Sequence, residues 1–185
     1  MLISLALFQC ELASEDADLL VGACGHSVLH PIAASVPARE VIGHTMSADP
    51  NHEVVRIACD GGWTVLADES GRLPEARKLW KRETQSRGVR SLLMLADDEI
   101  VAFALHEPDG SARAVASCDG HYQAKGRPLA VEGAFAPKRL TAGDLLLLAQ
   151  SVGVDLERLN HGINYRLLAC RRGPLDFHHS SAAES

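Results

Sequence analysis

Apolar and polar positions along this chain fall into short runs, and two of those runs meet at a pair of glycines. Val54-Val55-Arg56-Ile57-Ala58-Cys59 and Trp63-Thr64-Val65-Leu66-Ala67 flank Asp60-Gly61-Gly62. Tight hairpin turns need positive φ, which glycine adopts without a side-chain clash, so the stretch predicts a β-hairpin. Upstream, Leu2 to Gln9 is apolar on both alternating faces, as a strand covered on both sides would be. Acidic Glu11, Glu15 and Asp16 follow it at once and no basic region precedes it, so it reads as a buried first strand rather than a signal peptide. Ser14 with Asp16 and Asp18 predicts a short helix ending near Gly22, because anionic side chains suit a helix N-terminus. Residues 23–52 break every period with Pro31, Pro37, Pro50, two glycines and four histidines. One strand from Glu40 to Met46 is expected there, and ordered loop elsewhere.

Downstream of the hairpin, Pro74 followed by Glu75 starts a helix that runs to Arg87. Leu79 and Trp80 dock it, Arg77, Lys78, Lys81, Arg82 and Arg87 cover its other faces, and Gly88 suits the position just past its end. A meander follows: Val89–Leu95, Ile100–His106 and Ser111–Cys118, with Glu107-Pro108-Asp109-Gly110 supplying turn chemistry between the last two. Residues 119–140 lose the period and read as a long loop. Thr141 with Asp144 forms a near capping box before Leu145-Leu146-Leu147-Leu148-Ala149, a helix apolar nearly all round and therefore buried. Asp155 caps a second helix through Asn160, Gly162 ends it, and Ile163–Cys170 forms a last strand. Together these elements predict an α+β fold. Its sheet is mostly antiparallel, of about five to seven strands, with helices packed on one face. Residues 1–170 are expected to make one domain and residues 171–185 a polar tail.

Composition narrows the class. The chain has 185 residues, 46% hydrophobic and 23% charged, which is ordinary for a folded domain, and only 4% aromatic, so Leu, Val and Ala must carry the core. Five cysteines without a CxxC pair read as buried reduced thiols, which suits a cytoplasmic protein. No apolar run approaches the roughly 18–20 residues a membrane helix needs, so no membrane partner is expected.

The net charge of −6 is unevenly placed. Residues 1–60 hold eight acidic side chains against Arg39 and Arg56, while the remainder is neutral. Such an end repels nucleic-acid phosphates and favours a basic protein partner, although solubility alone also accounts for it. The expected contact surface is Glu15, Asp16, Asp18, Asp49, Glu53 and Asp60.

Other constellations are weaker. Cys24-Gly25-His26 with His30 lacks the further ligands that a structural zinc site needs, and reads as loop histidines beside a buried thiol. Neither GxxxxGK[ST] nor GxGxxG is present, and no cofactor is expected. The basic side chains of the Pro74–Arg87 helix read as a solvated face, and the tail's His178 and His179 as part of a polar end. Cys118-Asp119-Gly120-His121 places a thiol near an imidazole, so a small cysteine-dependent hydrolase or transferase is the alternative reading.

The order of motifs carries one resemblance. A Gly62-Trp63-Thr64 strand leads to the turn Asp68-Glu69-Ser70-Gly71, then a helix, then a strand from Val89. Phe103, Glu107-Pro108-Asp109-Gly110 and a Leu-rich helix ending in Ser151-Val152-Gly153-Val154 complete it. Over roughly residues 54–160 this is similar to uncharacterised bacterial domains of polymorphic toxin systems, which are proposed as immunity proteins. The resemblance implies a protein that binds a cognate toxin and blocks it, and it brings no catalytic residue with it.

Overall fold

A computed structural model describes residues 3–41, 52–135 and 139–172. The elements, in chain order, are β1 (Ile3–Phe8), α1 (Ser14–Ala23), β2 (His26–Pro37), a 3₁₀ turn (Ala38–Glu40), β3 (His52–Asp60) and β4 (Trp63–Ala67). A short α2 (Arg72–Glu75) and α3 (Arg77–Arg87) lead into β5 (Ser91–Ala96), β6 (Ile100–His106), β7 (Ala112–Cys118) and β8 (His121–Lys125). A second 3₁₀ turn (Ala130–Ala134), α4 (Ala142–Ser151), α5 (Leu156–His161) and β9 (Asn164–Arg172) complete them.

The nine strands of the described residues form one antiparallel sheet in the order β2-β9-β3-β4-β1-β5-β6-β7-β8. The sheet is therefore wider than the five to seven strands expected. The helices also differ from expectation, because they cover both faces. Side-chain alternation divides each central strand between two apolar layers. Leu7, Val65, Leu92, Met94 and Phe103 pack with Leu145 and Leu148 of α4 and Leu156 and Leu159 of α5. Phe8, Leu66, Leu93, Val55 and Leu168 face the other way, against Leu20 and Val21 of α1, Leu73 of α2 and Trp80 of α3. Burial on both sides explains why β1 and β4 read as unbroken apolar runs.

The expected hairpin is present, with Gly61 and Gly62 at φ +56° and +82° between β3 and β4. The helix expected from Pro74 is broken at Ala76 into α2 and α3, and Gly88 ends α3 at φ +66°. Thr141 and Asp144 exchange the reciprocal hydrogen bonds of a capping box, with Thr141 N donating to Asp144 Oδ2 at 2.7 Å. The Leu-rich helix behind it is only half buried, since Leu145 and Leu148 face the sheet while Leu147 faces outward. Arg171 and Arg172 extend β9 beyond the expected domain edge, and the rest of the predicted tail lies outside the described residues.

Two expected loops contain strands. His26 to Pro37 forms the edge strand β2, its register to β9 interrupted by bulges. Of the strand expected at Glu40–Met46, Glu40 belongs to a 3₁₀ turn and residues 42–46 lie outside the described residues. The stretch 119–140 turns at Asp119-Gly120 into β8, then packs back through Arg113. That guanidinium donates to Glu132 Oε1 at 2.8 Å and to the carbonyls of Lys125 and Gly126 at 3.2 and 3.0 Å. No helix among the described residues is long and apolar enough to cross a membrane.

Candidate functional site

The acidic residues singled out in the sequence do not form one surface. Glu15, Asp16 and Asp18 share α1. Asp60 lies at the far end of β3, bound to Arg158 of α5 at 2.9 Å, and Asp49 lies outside the described residues. Glu53 is 4% exposed and sits inside the molecule, so it offers nothing to a partner. The fold brings together a smaller set, an open groove between α1 and the start of β2.

Three buried ionisable side chains underlie that groove. His26 begins β2, Glu53 lies near the start of β3, and Asp68 follows β4 immediately before α2. His26 Nε2 lies 3.2 Å from Asp68 Oδ2, and its Nδ1 lies 3.4 Å from Glu53 Oε2. Asp68 also accepts from the hydroxyls of Ser4 and Ser70 and from Leu73 N at 3.1 Å. Alternation explains the burial of Glu53: it shares a face of β3 with Val55 and Ile57, which pack under α1. A neutral imidazole there would leave two carboxylates uncompensated. Burial by itself would lower the pKa of His26, but the hydrogen bonds to Asp68 and Glu53 outweigh it and raise it to about 9. Glu53 and Asp68 are held below the usual carboxylate range; burial opposes ionisation of each, and His26 overcomes that opposition. The cluster is an imidazolium between two carboxylates, carrying one net negative charge. A second buried histidine, His106, shows the opposite outcome. Burial, helped by Lys81 and Arg77, lowers its pKa, and its Nδ1 meets Ser91 Oγ at 3.2 Å instead of a carboxylate.

This cluster fixes where β2 begins and so shapes the groove. Arg72 of α2 helps from the other side, donating to Gly25 O at 3.1 Å across the turn between α1 and β2. The groove holds about 780 Å³ and is lined by Glu15, Asp18, Leu19, Gly22, Ala23 and the first residues of β2. Leu19 is 72% exposed within it. Asp18 is partly compensated by Arg166 of β9, whose Nη1 donates to Oδ2 at 3.1 Å. Asp16 points the other way, toward Arg87 of α3 at 3.4 Å. Glu15 is exposed. The groove thus presents an apolar side chain between two carboxylates, above a buried cluster of the same net sign.

The pair Cys118 and His121 is cross-strand neighbours on β7 and β8, on either side of the Asp119-Gly120 turn. The thiol faces the Asp119 carboxylate, with Sγ to Oδ2 3.8 Å. Its pKa is raised, by desolvation first and then by Asp119, which is opposite to what a nucleophilic cysteine needs. Alkylation of Cys118 in the native protein by iodoacetamide at pH 7.5 is expected to be slower than that of a free thiol, as mass spectrometry of timed aliquots would show. Cys24 and Cys170 are buried thiols, both raised to about 12, chiefly by burial, whereas Cys10 and Cys118 are partly exposed and Cys59 is exposed, so only two of the five are the buried thiols expected. His26 and His30 lie on strand β2, not in the loop expected for them. Among the described residues, no group of three or more His, Cys, Asp or Glu side chains is arranged to hold a metal ion.

Neither protein-family models, nor curated proteins, nor solved structures provide a match to this chain.

Proposed function

We propose that this chain is a protein-binding domain, and that the groove between α1 and β2 receives a basic, apolar-tipped segment of its partner. The observation that carries the reading is Leu19, a large apolar side chain left 72% exposed beside Glu15 and Asp18 in an open groove. An apolar side chain flanked by charged, solvent-accessible ones matches the core-and-rim arrangement of protein interfaces. The surplus negative charge of the first sixty residues adds long-range attraction for a cationic protein, which accelerates encounter. Together with the resemblance over residues 54–160, this supports a bacterial immunity protein that acts in the cytoplasm by neutralising a cognate toxin. On this reading the protein performs no chemistry of its own.

Co-expression in a bacterial host with the product of the adjacent gene tests the reading. Growth is expected to survive induction of that product with the wild-type chain present and to fail with Leu19→Arg/Glu15→Lys. Purified components should show the same pattern, with the double variant binding at least about 100-fold more weakly. A variant that folds, protects and binds as the wild type does would overturn the assignment of the groove.

A further inference from the structure

A second site lies on the opposite face of the sheet, where α4 and α5 cross β1, β3 and β9. A cavity of about 80 Å³ opens there, lined by Arg56, Tyr165 and Asn160 and by Leu146, Leu156 and Leu159. Arg56 is the unusual member. It sits in the middle of β3, opposite Ala67 on β4 and Leu167 on β9, and alternation places it with Val54 and Ala58 in an apolar layer. Its Nε is shielded from solvent and has no hydrogen-bond partner. A guanidinium carries five donors, and a shielded N–H left without an acceptor is costly. The acid on the same face of β3, Asp60, is taken by Arg158 at 2.9 Å. Tyr165 supplies no negative charge. Its hydroxyl donates to Leu159 O at 2.9 Å, and burial, only partly offset by Arg56, pushes its pKa up to about 12.

The cavity therefore joins a guanidinium with one unmatched, shielded N–H and one side-chain amide to three leucines. A single fixed charge matches a monoanion, and Leu146, Leu156 and Leu159 give a short aliphatic tail a place to pack. A water needs about 10–15 Å³ of such space, so the cavity has room for about six non-hydrogen atoms. We propose that it binds a short-chain aliphatic carboxylate, with the carboxylate on Arg56 and Asn160 and the tail against Leu146, Leu156 and Leu159.

The test is calorimetric titration of the full chain with acetate, butanoate and inorganic phosphate in turn. One butanoate per chain is expected, binding about three- to fourfold more tightly for each methylene added to acetate. Arg56→Met should weaken butanoate at least tenfold while leaving the urea midpoint unchanged or raised, because an unmatched shielded donor has been removed. Leu146→Phe keeps Arg56 but fills the cavity from the helix side, and it should abolish binding as well. Absence of saturable binding by the wild type would overturn the proposal. So would equal affinity in a folded Leu146→Phe variant, or phosphate binding as tightly as butanoate.

Discussion

Replacing His26 with leucine is expected to cost about 3–5 kcal/mol of folding stability, because it leaves Glu53 and Asp68 as buried carboxylates without their shared cation. Urea unfolding of wild type and variant at pH 6 measures the loss. A difference below about 1 kcal/mol would mean that the imidazole does not carry the charge assigned to it. The double variant His26→Leu/Glu53→Met should recover part of the loss, since it removes one of the two stranded charges together with the cation. The same cluster sets a pH profile. In the unfolded chain the imidazole loses its proton near pH 6.5, while in the folded protein it keeps it to about pH 9. Between those values the native state binds more protons, so stability falls as pH rises, by up to about 1.4 kcal/mol per pH unit. Below pH 6.5 the contribution of His26 is complete. Glu53 and Asp68 act on the acid side: their depressed pKa values stabilise the fold above the ordinary carboxylate range, and that contribution is lost as pH falls through the depressed values. Wild-type midpoints should therefore decline from pH 6.5 to 9, and those of His26→Leu should be flatter over the same interval.

Trp80→Ala should cost a comparable amount, about 3–5 kcal/mol, through the opposite kind of interaction. Trp80 is fully buried on the α1 side of the sheet, its ring 5.9 Å from that of Phe8 at a tilt of 50°. Its Nε1 donates to Leu73 O at 2.6 Å, which ties α3 back to α2 across the break at Ala76. Alanine opens a large cavity under α3 and leaves the Leu73 carbonyl with only the long 3.4 Å bond from Ala76 N. Trp80→Phe separates the two effects, since it fills most of the space but cannot donate; it should cost about half as much or less. Trp63, the other tryptophan, reports unfolding by fluorescence in both variants. Equal midpoints for Trp80→Ala and wild type would mean that α3 is not anchored through this ring.

Which features were legible follows from the kind of force that makes them. Local chemistry showed plainly: Gly61-Gly62 marks its turn, Thr141 with Asp144 its capping box, and Gly88 the end of α3, because each depends on a few adjacent residues. The strand β2 was hidden because Pro31 and Pro37 normally exclude a ladder position. They are tolerated here because an edge strand pairs on one side only and bulges absorb the mismatch. The strand β8 was hidden because His121–Lys125 is polar and almost wholly exposed, so it carries no apolar alternation. Charge misled most. Glu53 and Arg56 look like surface residues by type, yet their strand positions gave warning. Glu53 alternates with Val55 and Ile57, and Arg56 with Val54 and Ala58, so each was assigned to a buried face by the period of β3. What composition does not carry is the company these charges keep, since His26 at the start of β2 and Asp68 just past β4 meet Glu53 only in the folded sheet. The groove was half visible, in Glu15 and Asp18, but exposure of Leu19 depends on how α1 lies across the sheet.

The position of β9 has a consequence for how the protein is made. It lies between β2 and β3 and pairs with both, although more than a hundred residues separate it from either. During synthesis, β3, β4, β1 and β5 through β8 can pair among themselves as they leave the ribosome. The flanking strand β2 has no neighbour to join until residues 164–172 emerge. Loop closure over such a separation is slow, and an unpaired strand edge invites wrong partners while it waits. The His26 cluster can seat the start of β2 earlier, but the pairing of β2 and the Arg166 contact to Asp18 wait for β9, so nascent chains stalled before β9 should display most of the fold with the groove incomplete.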